Sequence, residues 1–138
     1  MDPALEAAFT RELRAFVRAA GKRRALATTC HVGRPGAERV TLPYLDQLPG
    51  PRRVSHGLGT DLVVRGLEGI AETAAACAWV TRSGAGEVTS TDVEWFAAAR
   101  GGFGCHGLDL PAFLVLHRYG WHDLVSGDRR EWSRVRTR

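Results

Sequence analysis

Between residues 75 and 95 the chain changes period twice without a gap, and this stretch constrains the fold more than any other. Residues 76–81 are a short apolar run of strand length. Ser83 to Gly86 carry Gly/Ser turn chemistry, and residues 89–92 open a helical period that continues through Trp95. The order is therefore strand, tight turn, helix. Thr89 and Thr91 both stand where a helix cap is needed, Thr91-x-x-Glu94 has the spacing of a capping box, and Asp92 in the first turn complements the helix dipole.

The flanking segments fit the same layered plan. Asp2-Pro3 starts a helix over residues 3–20, with Leu5, Phe9, Leu13, Phe16, Val17 and Ala20 on one apolar face and Gly21 as the stop. Residues 25–32 and 39–45 read as strands joined by a Gly33-Arg34-Pro35-Gly36 turn, and residues 52–56 as a third short run. Thr60 is expected to cap a second helix reaching about residue 75, its buried face built from Leu62, Val63, Leu67, Ile70, Ala71 and Ala74. A third helix is expected over residues 91–103, a buried strand over 111–117, and two further short strands over 121–125 and 131–136. These alternations predict an α/β (α+β) three-layer domain: a mixed, largely antiparallel sheet flanked by helices, in one unit of 138 residues.

The central loop resembles the metal-binding loop of the RadC-like branch of the JAB/MPN (JAMM) metalloprotease-like family. That pattern reads His-x-His-Pro-Ser-Gly, a short spacer, then Ser-x-x-Asp. Ser83-Gly84 match its Ser-Gly, Thr89 stands at the second Ser, and Asp92 at the Asp ligand. The two His positions fall on Trp79 and Thr81 and the Pro on Arg82. Gly59-Thr60 and Arg65 also agree with the family pattern, so the likeness covers about residues 52–127, preceded by the helix at 3–20 and followed by a basic tail at 128–138. The family's catalytic Glu has no counterpart near Arg52, Arg53 and Ser55, the nearest upstream acid being Glu38.

The resemblance implies a JAB/MPN-like domain whose metal site is degenerate. A zinc site needs at least three ligands from Cys, His or carboxylate, and Asp92 alone cannot supply them. Neither metal nor cofactor is expected, and Trp79 is expected to fill the former site. The leading function is a non-catalytic binding or scaffolding module, in DNA-linked processes if the RadC likeness extends that far. One competing reading is a metal-dependent hydrolase with relocated ligands, drawing on Asp92 with His31, His56, Cys30 or Glu38.

Composition and charge bound the partners. With 44% apolar and 25% charged residues this is an ordinary globular composition, and no stretch has the length and apolarity of a membrane span. Cys30, Cys77 and Cys105 are far apart and odd in number, which reads as free thiols in a reducing, cytoplasmic setting. The net charge is +4, and the basic residues gather at the two ends. Arg14, Arg18, Arg23 and Arg24 near one end and Arg129, Arg130, Arg134 and Arg136 near the other are candidate contacts to nucleic acid or to a protein partner. A third reading is accordingly a nucleic-acid binder using these arginines, and a protein partner or homodimer is expected beside it.

Overall fold

The computed structural model describes residues 1–42 and 56–137. Helix α1 (Pro3–Ala20) starts where Asp2 Oδ2 accepts from the Leu5 N–H at 3.1 Å and ends at Gly21, whose φ of 56° is a conformation that favours glycine. Strands β1 (Thr29–Gly33) and β2 (Arg39–Thr41) form a hairpin and are followed by α2 (His56–Glu68), a single 3-10 turn (Thr73–Ala75) and β3 (Cys77–Thr81). Helix α3 (Ser90–Cys105), β4 (Phe113–His117), β5 (Gly120–Asp123) and β6 (Arg129–Glu131) complete the order.

The six strands lie in one sheet in the order β2-β1-β3-β4-β5-β6. Every neighbouring pair is antiparallel except β3 and β4, which run parallel because α3 makes the crossover between them. Helices α2 and α3 cover one face of the sheet, where Val63, Leu67, Trp95 and Phe103 meet Val32, Val80, Phe113 and Val115. The other face carries α1 and the C-terminal segment, with Phe9, Leu13 and Val135 against Trp79, Leu114, Leu116 and Trp121. The result is three layers, a mixed and mostly antiparallel sheet between helices.

Strand alternation assigns each residue of β3 to a layer. Ala78 and Val80 face α2 and α3, while Cys77 and Trp79 face α1. A one-residue slip of β3 would exchange the two sets, so the register is fixed by both cores together. The apolar face of α1 is spent on the chain's own sheet: Phe9 and Leu13 are fully buried, each contributing about 1.5–3 kcal/mol of transfer free energy. On its inner rim Glu12, also buried, accepts from the Gly36 N–H at 2.6 Å and from both terminal nitrogens of Arg39, tying α1 to the β1–β2 hairpin.

Several boundaries differ from the sequence reading. Strand β1 begins at Thr29 rather than residue 25, and the expected strand over 39–45 is described only to Thr41. The expected run at 52–56 falls outside the described residues but for His56, which opens α2. Thr60 does not cap α2; it lies inside the helix with its buried hydroxyl against Gly101 of α3. The helix ends at Glu68, where 3-10 bonds from Gly69 N–H to Gly66 O and from Ile70 N–H to Leu67 O tighten and close the last turn. Gly102 permits the close crossing of α2 and α3, since a Cβ there would lie 2.5 Å from Val63 Cγ1. Strand β6 ends at Glu131, short of the expected residue 136, and the residues after it bring Trp132 and Val135 into the α1 layer with Leu13.

Candidate functional site

The parallel strands β3 and β4 end side by side, and the loop of residues 82–89 leaves their carboxyl ends to enter α3. In open α/β sheets this is where ligand-handling loops collect. Residue 82 continues the alternation of β3, so its side chain turns to the α3 side, and its N–H still donates to Leu116 O at 3.1 Å. Arg82 and Asp92 are both buried there, 4% and 0% exposed.

Their pairing is saturated. Arg82 Nε lies 3.0 and 3.1 Å from the two oxygens of Asp92, and Nη2 donates to Asp92 Oδ2 at 3.0 Å. The remaining N–H groups donate to the carbonyl oxygens of Ser83 at 3.0 Å, Ala85 at 2.9 Å and Glu87 at 2.7 Å. All five N–H groups of the guanidinium thus find acceptors, the condition under which a buried cation is tolerated. Asp92 Oδ2 also accepts from the Thr89 N–H at 2.9 Å, and Thr89 Oγ1 accepts from the Asp92 N–H at 3.2 Å. The capping box is therefore Thr89–Asp92 rather than Thr91–Glu94.

The other motif positions divide between two places. Ser83 fastens the loop to the segment before β1, its hydroxyl donating to Leu26 O at 3.0 Å and accepting from the Leu26 N–H at 2.9 Å. Gly84, at φ 96°, lets the chain curl so that its neighbours' carbonyls face the guanidinium. Trp79 and Thr81 lie on the opposite face of the sheet from Asp92. Trp79 packs edge-on against Phe9, stacks on His31 at 5.5 Å and sits under the Arg39 guanidinium at 5.3 Å. Thr81 Oγ1 is 2.9 Å from His31 Nε2, and Thr41 Oγ1 is 3.0 Å from His31 Nδ1. The expectation that Trp79 fills the space beside Asp92 is corrected: residues 79 and 81 share the parity of the α1 layer, and the space beside Asp92 holds Arg82.

The candidates for a relocated metal site do not converge. His31 faces α1, and burial, with help from Arg39, lowers its pKa to about 4. Cys30 lies in the α2/α3 core with its thiol pushed up by burial. Glu38 accepts from the Ala71 N–H at 2.6 Å, and the side chain of His56 is outside the described residues. Among the described residues no three His, Cys, Asp or Glu side chains come together as a ligand set.

Near the ion pair, on the same face of β4 and β5, stand His117 and His122. His117 is 1% exposed and its Nδ1 accepts from the Tyr119 N–H at 3.2 Å, which leaves the proton on Nε2 beside Gly86. Burial and then the Arg82 charge lower its pKa, and burial followed by Arg129 does the same for His122.

Of the terminal arginines, Arg18, Arg24, Arg134 and Arg136 gather around adjoining clefts at the end of α1, and Arg14 borders a smaller one with Arg134. Arg23 donates to Ala19 O at 3.1 Å, Arg129 is 3.3 Å from His122 Nδ1, and Arg130 pairs with Glu6 at 2.9 Å while lying over Trp132. Sequence reasoning missed the roles of Arg82 and Arg118. An arginine that ends an apolar strand ten residues before a helix-cap aspartate was a usable signal for the first; nothing local marked the second. No helix among the described residues is long and apolar enough to cross a membrane. No family model, curated protein or solved structure matches the chain.

Proposed function

We propose that the chain is a non-catalytic domain of RadC-like JAB/MPN descent, acting in the cytoplasm as a binding or scaffolding module in a DNA-linked process. The observation that supports this reading is the saturation of Asp92. In the resemblance Asp92 stands for a metal ligand, yet its two oxygens accept from Arg82 Nε and Nη2 and from the Thr89 N–H. An internal guanidinium, supplied from the position of the family's proline, meets the charge that a metal would otherwise meet. With both carboxylate oxygens engaged by Arg82 and the Thr89 N–H, the arrangement suits holding a loop in shape.

Metal content of the purified, untagged protein tests the reading, measured alongside Asp92→Asn, which keeps an oxygen for the cap. The expected result is zinc well below one per chain and unchanged by the substitution. Stoichiometric zinc that disappears in Asp92→Asn would refute it and favour the hydrolase.

A further inference from the structure

The end of α1, the turn after β4 and the C-terminal segment meet around two adjoining clefts of about 1030 Å³ and about 610 Å³, which share Val17, Gly21, Arg118 and Tyr119. Arg18, Arg118, Arg134 and Arg136 line the larger, and Lys22 and Arg24 extend the row into the smaller. Among the described residues no aspartate or glutamate lines either cleft.

These six cations are not neutralised within the described residues. The ion pairs lie elsewhere, at Met1–Asp128, Arg34–Glu72, Arg39–Glu12, Arg82–Asp92 and Arg130–Glu6. Arg118 donates to Gly21 O and Arg23 O, both at 2.8 Å, and Arg18 donates to Thr137 O. Carbonyl bonds hold those two guanidinium groups in place without cancelling their charge, and the C-terminal end of the α1 dipole favours cations there. Six like charges around one recess repel each other, and an anion drawn into it relieves that repulsion.

The recess also has an aromatic wall. Tyr119 sits where the two clefts join and is 47% exposed, on a chain whose other large aromatics are mostly buried. A basic channel with an exposed ring is the arrangement that holds a single strand, phosphates on the cations and a base on the ring. A duplex or an anionic membrane would instead need an open basic face.

We propose that the two clefts form one groove for single-stranded nucleic acid, with its phosphates on Arg18, Lys22, Arg24, Arg118, Arg134 and Arg136 and a base stacked on Tyr119. Arg82 and Ser83 line the smaller cleft, but the Arg82 guanidinium is spent on Asp92 and the loop carbonyls and is not among the six phosphate contacts, so metal content and strand binding can fail separately.

Fluorescence anisotropy of a fluorescein-labelled oligothymidylate, titrated over a range of salt concentrations, tests it. Six phosphate contacts give a log–log salt slope of about −4. Replacing four of the exposed side chains together, as Lys22→Ala, Arg24→Ala, Arg134→Ala and Arg136→Ala, is expected to reduce the slope to about −1. Tyr119→Ala is expected to weaken binding about tenfold with the slope unchanged. Circular dichroism confirms that both variants stay folded. Absence of binding at low salt, or a fourfold variant with the wild-type slope, would overturn the groove. Unchanged affinity of Tyr119→Ala, with polyglutamate competing as well as unlabelled oligothymidylate, would overturn the nucleic-acid assignment in favour of an acidic protein.

Discussion

Replacing Arg82 by methionine keeps most of the volume and removes the charge, leaving Asp92 buried with only its helix-cap bonds. Removing one partner of a buried, hydrogen-bonded ion pair costs about 3–5 kcal/mol, because the remaining charge stays in a poorly solvated place. Here the carbonyls of Ser83, Ala85 and Glu87 lose their donors as well, which places the expected loss toward the upper end of that range. Asp92→Ala should cost a similar amount, with about 1 kcal/mol of it due to the cap that Thr89 and Asp92 share. The double substitution removes both charges, so its cost should fall short of the sum by about 2 kcal/mol or more. Urea unfolding at pH 7 measures all three, followed by tryptophan fluorescence, since Trp79 and Trp95 are fully buried and both report exposure. Additive single costs, or a loss below about 1 kcal/mol for Arg82→Met, would refute the account of the pair as a mutually dependent buried unit.

Two further outcomes are expected from the same kind of measurement. Gly102→Ala drives a methyl group to 2.5 Å from Val63 Cγ1 and should destabilise by about 1–3 kcal/mol, whereas Gly104→Ala, with nothing within 4 Å, should stabilise by about 0.5–1 kcal/mol; equal effects would contradict the close crossing of α2 and α3. His31 is held neutral, its folded pKa of about 4 lying below the ordinary 6.5, so the unfolded chain binds the proton first and stability falls as pH drops from 6.5 toward 4. The full lowering corresponds to about 3 kcal/mol, and His31→Gln should flatten that part of the stability–pH curve; an unchanged slope would remove His31 as the cause.

The legible parts of the sequence were those whose information is local. Asp2-Pro3 and Gly21 bracket α1 because caps and stops act within one turn. The strand–turn–helix order around residues 77–105 was readable from its change of period. The second helix was harder: Thr60 is a strong cap residue by type, yet α2 had already begun at His56, and its hydroxyl went to the α3 crossing instead. Trp79 was expected to fill the site that Asp92 marks because an alignment follows chain order, while a strand sends residues 79 and 82 to opposite faces. The clefts could not be read at all, since Arg18 reaches Thr137 across 119 positions and only the tertiary fold places Arg118 between them.

The ion pair and the basic groove meet in one stretch of backbone. Arg82, Ser83 and Gly84 line the smaller cleft, and these residues begin the loop whose carbonyls wrap the guanidinium. Ser83 then clamps that wall to Leu26, which lines the same cleft two residues after Arg24. A loop with three inward carbonyls and an inward carboxylate needs a cation at its centre to keep its shape. Arg82 supplies that cation covalently, so the wall is held by the chain itself and its outer surface is free to face a ligand. The residue that meets the charge of Asp92 is therefore also the one that holds this wall of the cleft in shape.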